Sequence, residues 1–390
     1  MKNLRDFSFE NKRVLVRVDF NVSIGDDGRV DEKEDWRIEA TLPTINYLLK
    51  QRAKIILLAH LGRPHGEIVE SLRLDPVARR LEELLGQTVV KLNDCLGRQV
   101  EKRIKNIQAG EIFLLENLRF HIGEEKNNPD FAKQIARLGE VFVNDAFGVI
   151  HRPHASMVSL PQYLPSGAGL LLEKEIGILS KVLTKPKHPL VVIIGGVKIS
   201  TKIKVIKNFL ERTDDLILGG ALANTVIKAK GFTIGKSIVE EEMVDQVKKL
   251  ELTDTKLHIP VDVIASVDAQ GQAPSRIAPV GYTKEKEMIL DIGPDTCQLF
   301  KRVISRAKTV IWNGPMGLFE VDKFASGTKE IARAVAQTKS FSVVGGGDTI
   351  NLLERMNLAG RIDHLSTGGG AMLKFLAGEK LPGLEVLKRV

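Results

Sequence analysis

The chain holds 390 residues, 43% hydrophobic, 27% charged and 5% aromatic, so at roughly 150 residues per domain it allows two or three domains with aliphatic cores. Cys95 and Cys297 form no C-x-x-C pair or disulfide framework, the N-terminal stretch lacks a signal peptide's apolar run, and no apolar run can span a bilayer; a cytoplasmic protein away from membranes is expected. The net charge of +8 attracts anions, but Lys and Arg are scattered without a long basic run or interleaved aromatics, which argues against nucleic acid.

In chain order, short runs rich in β-branched residues recur at Val14–Val18, Ile55–Ala59, Ile112–Leu115, Val141–Val143, Val191–Ile194, Leu216–Leu218, Val310–Trp312 and Ser342–Val344. Near-continuous apolar runs of this kind fit strands buried on both faces of a parallel sheet. The longer segments between them read as helices, which predicts an α/β architecture. In Gly169–Leu183, the residues Leu172, Ile176, Leu179 and Leu183 repeat at helical spacing. That segment fits a helix joining two domains, or an ordinary surface helix of one.

Just beyond each strand the composition changes. In the first half the strand ends and nearby loops carry Asp19 and Asn21, His60, and the arginines Arg37, Arg63, Arg119 and Arg152. Guanidinium groups fit carboxylate and phosphate oxygens in pairs, so this set suits a small acid with several negative charges. In the second half the strand ends carry Gly195-Gly196, Gly219-Gly220 and Gly345–Gly347, with Lys198, Lys202 and Asp348. Glycines let backbone amides approach an oxyanion closely. Asp348 is a candidate Mg²⁺ ligand, or an Asp capping the helix that follows. Open parallel sheets bind ligands at the carboxyl ends of their strands, so eight such ends form a constellation.

Two other motifs are set aside. Gly231–Ser237 resembles a phosphate-binding P-loop, but only three residues separate its glycines where four are required, and Thr225–Lys230 before it reads as helix. His151 and His154 lack companions at metal-ligand spacing.

The strings RVDFN (17–21), HLGRP (60–64), LENLRF (115–120), VNDAFG (143–148), HRPHAS (151–156), GGVKISTKI (195–203), WNGPMGLFE (312–320), GGGDT (345–349) and STGGGA (366–371) resemble the phosphoglycerate kinase family over nearly the whole chain. The resemblance implies two doubly wound parallel-sheet domains joined by a helix, with a cleft between them. By it, residues 1–168 and a returning tail, 372–390, bind phosphoglycerate, 169–184 connect, and 185–371 bind nucleotide. It implies reversible, Mg²⁺-dependent phosphoryl transfer between 1,3-bisphosphoglycerate and ADP, giving 3-phosphoglycerate and ATP, in a monomer. Asp19, Phe20, Asn21, Arg37, His60, Leu61, Gly62, Arg63, Arg119 and Arg152 would hold phosphoglycerate. Lys202, Gly219, Gly220, Asn313, Glu320, Gly346, Gly347, Asp348 and Thr349 would hold the nucleotide, with Asp348 on the metal. Arg37, Lys198 and Lys202 would be catalytic. Ser23, Pro153, Met372 and Lys374 depart from the family's usual residues, the last two bearing on tail packing and closure.

The chemistry is consistent with the residues. The attacking group in either direction is already an anion, so no general base is needed, and positioning with charge neutralisation carries the reaction. Two rival readings stay open: an ATP-dependent kinase for another acid, and a non-catalytic anion- or nucleotide-binding protein, which would be expected to lack Lys198, Lys202 or Asp348.

Overall fold

A computed structural model describes every residue except 251 and 253, and the chain divides into two units, Met1–Ile178 with Glu379–Val390, and Leu179–Gly378. The first is built on β1 (Arg13–Arg17), β2 (Lys54–Leu58), β3 (Val89–Lys91), β4 (Ile112–Leu114), β5 (Val141–Asn144) and β6 (Ser166–Ala168). They form one parallel sheet in the order β3-β4-β2-β1-β5-β6. The apolar runs are continuous because both sheet faces are covered. Val14 and Val16 enter one core with Ile45, Leu48, Val77 and Leu81, while Leu15 enters another with Val100, Ile104, Phe131 and Ile135. Successive strand residues point to opposite faces, so helices on both sides require apolar residues at every position.

The second unit carries β7 (Leu190–Ile194), β8 (Asp215–Leu218), β9 (Leu257–His258), β10 (Asp262–Ser266), β11 (Ser275–Pro279), β12 (Met288–Ile292), β13 (Thr309–Asn313), β14 (Phe341–Gly345) and β15 (His364–Ser366). Six of these make a parallel sheet in the order β15-β14-β13-β7-β8-β9. The chain builds outward from β7 to β9, then crosses to β13 and builds the other way. The carboxyl ends of β7 and β13 therefore flank a topological switch point, where doubly wound sheets open a crevice for ligands.

All eight expected strands are present. The antiparallel sheet β11-β10-β12 was not anticipated, nor were the short strands β3, β6, β9 and β15. A helix, Leu170–Thr184, runs from the first unit into the second. Its first turn lies against Asp145, whose carboxylate accepts the Leu172 N–H at 3.1 Å. Near the other end of the chain, the helix Pro382–Leu387 packs on the first unit, where Gly383 N–H donates to the Ile150 carbonyl at 3.1 Å. Met372 and Lys374 lie in the helix Gly369–Leu376 of the second unit.

Candidate functional site

In the first unit the loops after β1, β2 and β4 are tied to one another. Asn21 accepts the Gly62 N–H at 2.8 Å, and Arg119 donates to the Gly62 carbonyl at 2.7 Å. Asn117 holds the same region by donating to the Leu61 and Leu72 carbonyls at 2.7 and 3.0 Å. His60 is 2% exposed, and burial, followed by its neighbours Arg17, Arg119, His154 and Arg37, holds its pKa well below the usual histidine range. Burial also lowers Arg119 to about 10, with Arg17 adding repulsion against the pull of Glu125, Glu124 and Asp19. His154 falls to about 3, from burial first and then from Arg119, Arg17, Arg152 and His151. The expected residues Arg37, His60, Arg119 and Arg152 thus act on one electrostatic neighbourhood.

Several buried polar atoms there lack a hydrogen bond: Oδ1 of Asp19, Nε of Arg37 and Nε of Arg119. Buried polar atoms are normally satisfied, so these orphans suit a face that awaits a polar ligand. The Arg37 guanidinium lies 4.5 Å from the Trp36 ring centre, which favours its flat orientation. Arg63 and Arg152 are exposed. The side chains of Phe20 and Leu61 are buried in the core.

Arg17, Glu124 and Ser156 were missed by the sequence reading. Arg17 was legible in principle, since a charged residue within an apolar central strand must be paired. The Ser23 N–H donates to Glu34 at 2.8 Å, a bond that a proline at this position could not make.

The second unit holds a cavity of about 390 Å³ at the switch point. Lys202, Gly220, Asn313, Glu320, Gly346, Asp348 and Thr349 line it, with an apolar wall that includes Val197, Ile238 and Leu290. Its glycine loops are laced together by backbone bonds: Gly195 N–H to the Asn313 carbonyl at 2.8 Å, Gly196 to Pro315 at 2.9 Å and Gly220 to Met316 at 2.9 Å. Gly220 has φ +66°, and a Cβ there would lie 2.7 Å from the Gly196 nitrogen. Gly346 caps the helix Gly347–Arg355 with φ +103°, so the amide-bearing, positive end of that helix adjoins the cavity.

Asn313 donates to the Gly345 carbonyl at 2.7 Å, and the buried Thr349 hydroxyl accepts the Gly314 N–H at 3.0 Å. Lys202 donates to the Gly195 carbonyl at 2.5 Å; burial lowers its pKa to about 8, with Asp348 opposing. Lys198 is exposed, and neither it, Gly219 nor Gly347 is among the cavity's lining residues. Asp348 stands in the first turn of its helix and belongs to no group of three or more His, Cys, Asp or Glu ligands among the described residues. One carboxylate completed by phosphate oxygens and water is how Mg²⁺ is commonly held, so these residues fit that ion.

The Gly231–Ser237 loop has a structural role, and one further cluster of metal-ligating residue types is already engaged. Gly235 turns against the backbone of Lys284 and Glu287, beside β12. The group Asp94, Cys95 and His121 has its donors within 4.8 Å, but Asp94 Oδ1 already accepts from the Cys95 N–H and pairs with His121 at 2.7 Å. The Cys95 thiol is buried, which pushes its pKa up and keeps it protonated.

A family model described as "Phosphoglycerate kinase" matches residues 4–379. The chain is similar to "Phosphoglycerate kinase" of Moorella thermoacetica, 50% identical over 388 residues, covering 98% of each chain. It is 48% identical over 393 residues to the protein of that name from Pelotomaculum thermopropionicum, covering 99% of this chain and 98% of the other. Among solved structures, phosphoglycerate kinase from Pyrococcus horikoshii OT3 matches with TM-score 0.87 and 36% identity, covering 100% of this chain and 98% of that one. The Coxiella burnetii structure matches with TM-score 0.82 and 37% identity, covering 100% and 99%.

Proposed function

The chain belongs to the phosphoglycerate kinase family, and from that premise we propose a division of labour between its two units. The enzyme interconverts 1,3-bisphosphoglycerate plus ADP with 3-phosphoglycerate plus ATP. The first unit binds the acid through Asp19, Asn21, Arg37, His60, Arg63, Arg119 and Arg152, with backbone from Phe20, Leu61 and Gly62. The second binds the nucleotide through Lys202, Gly219, Gly220, Asn313, Glu320, Gly346, Gly347 and Thr349, with Asp348 on Mg²⁺. Arg37, Lys198 and Lys202 neutralise the phosphoryl group in transfer. Hinge closure about the joining helix brings the reactants together and excludes water.

The contrast between the units carries this reading: buried, under-bonded guanidinium and imidazole groups in one, and a glycine-lined cavity with a lysine and a carboxylate in the other. The reacting carboxylate and nucleotide phosphate are anions already, so the residues need only position and neutralise them. Mg²⁺, when bound at Asp348, supplies further charge neutralisation on the phosphates. The enzyme works as a cytoplasmic monomer, in keeping with its two buried free thiols.

The test is ATP formation from 1,3-bisphosphoglycerate and MgADP, comparing wild type with Asp348→Ala. The variant should keep its circular dichroism spectrum and lose Mg²⁺-dependent turnover by a factor on the order of 10² or more. An unchanged response to Mg²⁺ titration would remove Asp348 from the metal's reach.

A further inference from the structure

We infer that Glu124 and Ser156 are positioning residues which, through Arg17, fix the ring nitrogen of His60 that carries the proton. The inference rests on the reading of His60 as a contact to the acid. Its structural part can be tested without that reading.

Four side chains form one buried relay. Glu124 and Arg17 are each 0% exposed, Ser156 3% and His60 2%. The Ser156 hydroxyl donates to Glu124 Oε1 at 2.6 Å, and the Ser156 N–H donates to Oε2 at 2.9 Å. Arg17 Nε donates to the same hydroxyl oxygen at 2.9 Å. One terminal nitrogen of Arg17 donates to the Val18 carbonyl, and the other lies 3.2 Å from His60 Nδ1.

The chemistry of these groups leaves one consistent assignment of protons. An ionised carboxylate only accepts, so the single hydroxyl proton of Ser156 goes to Glu124. The lone pairs of that oxygen are then free for Arg17 Nε–H. A guanidinium only donates, so Nδ1 of His60 must be the acceptor, and the ring proton sits on Nε2. The competing partner of Nδ1 is Asp19, whose Oδ1 is 3.8 Å away and beyond hydrogen-bond reach.

The charged groups acting on the ring reinforce the assignment. Burial and the guanidinium charges of Arg17, Arg119 and Arg37 keep the imidazole unprotonated at neutral pH, against the nearby Asp19 carboxylate. His60 therefore offers the acid one directed N–H. Glu124 has a second task, because its charge, with that of Asp19, opposes the lowering of the Arg17 pKa by burial. An amide at position 124 must give its oxygen to the Ser156 N–H and its N–H to the hydroxyl, which takes one of the two lone pairs and turns the Ser156 proton round to compete with Arg17 for the other side of the oxygen.

The experiment is nitrogen NMR of the His60 ring in full-length, substrate-free protein at neutral pH, for wild type, Glu124→Gln and Ser156→Ala. Wild type should show the Nε2–H form alone, and each variant a mixture with the Nδ1–H form. Both variants should raise KM for 3-phosphoglycerate about tenfold, the loss of roughly one charge-assisted hydrogen bond, with KM for ATP within about twofold. A wild-type ring charged or carrying its proton on Nδ1 would overturn the assignment whether or not the variants fold. Folded variants with an unaltered ring would reduce Glu124 and Ser156 to structural residues. If the ring changes as expected while KM for 3-phosphoglycerate does not, the relay stands and His60 is not a contact to the acid.

Discussion

Lys202 illustrates how a single side chain prepares a site at a cost to its own charge. Its ammonium is buried against the Gly195 carbonyl, and burial brings its pKa to about 8 despite the attraction of Asp348. In free protein the charge is therefore lost as pH rises above about 8. A phosphate bound at Lys202 would favour the protonated form, so on the proposed nucleotide site binding above that pH takes up a proton and weakens by up to about tenfold per unit. Calorimetry of MgADP binding at pH 7 and pH 9, in buffers of different ionisation heat, should show greater proton uptake at pH 9. Lys202→Arg, which stays charged, should abolish that difference; equal uptake by wild type at both pH values would show that Lys202 does not meet the phosphates.

At this scale the sequence was informative about charge and silent about direction. Arg119, His60 and Asp348 stand out as candidates because polar residues at the carboxyl ends of buried strands have few structural reasons to be there. Phe20 and Leu61 carry the same positional signal, yet their side chains serve the core. Glu124 and Ser156 gave no signal, since their role depends on short helices brought beside β1 and β2 by the fold.

At the scale of elements, the proposed nucleotide cavity depends on glycines where turns from different strands touch. Gly220 and Gly86 have nearly the same left-handed backbone, φ +66° and +62°. A Cβ at Gly86 meets nothing within 4 Å, whereas at Gly220 it would lie 2.7–2.8 Å from backbone atoms of Gly196 and Pro315. Gly86→Ala should cost the conformational term alone, about 1 kcal/mol. Gly220→Ala adds a collision between loops, so its thermal midpoint should fall further and its affinity for MgADP should drop while that of Gly86→Ala holds. Equal midpoints and affinities would mean that loop contact at Gly220 is dispensable.

The strands of both parallel sheets that stand near their centres were legible because burial on two faces forces continuous apolar runs. The strand Ser166–Ala168, by contrast, contains no β-branched residue and is set by its pairing with β5. The small antiparallel sheet has mixed burial along Ser275–Pro279, which blurs both the alternating and the continuous pattern.

For the whole molecule, the +8 charge is not spread as an undifferentiated basic coat. In the first unit, cations converge on His60 and leave buried donors unsatisfied; in the second, glycine loops and one lysine line a cavity together with Asp291, Glu320 and Asp348. Each equipment suits one substrate of the reaction, and the reaction needs both. The central claim, a separate site for each substrate, is tested most directly by hydrogen exchange with mass spectrometry on the full chain, with either ligand alone. Saturating 3-phosphoglycerate should slow exchange in segments around 60–63, 117–121 and 150–156, and MgADP in those around 195–202, 313–320 and 345–349. Protection of the glycine loops by 3-phosphoglycerate alone, or of the arginine-bearing loops by MgADP alone, would contradict the account.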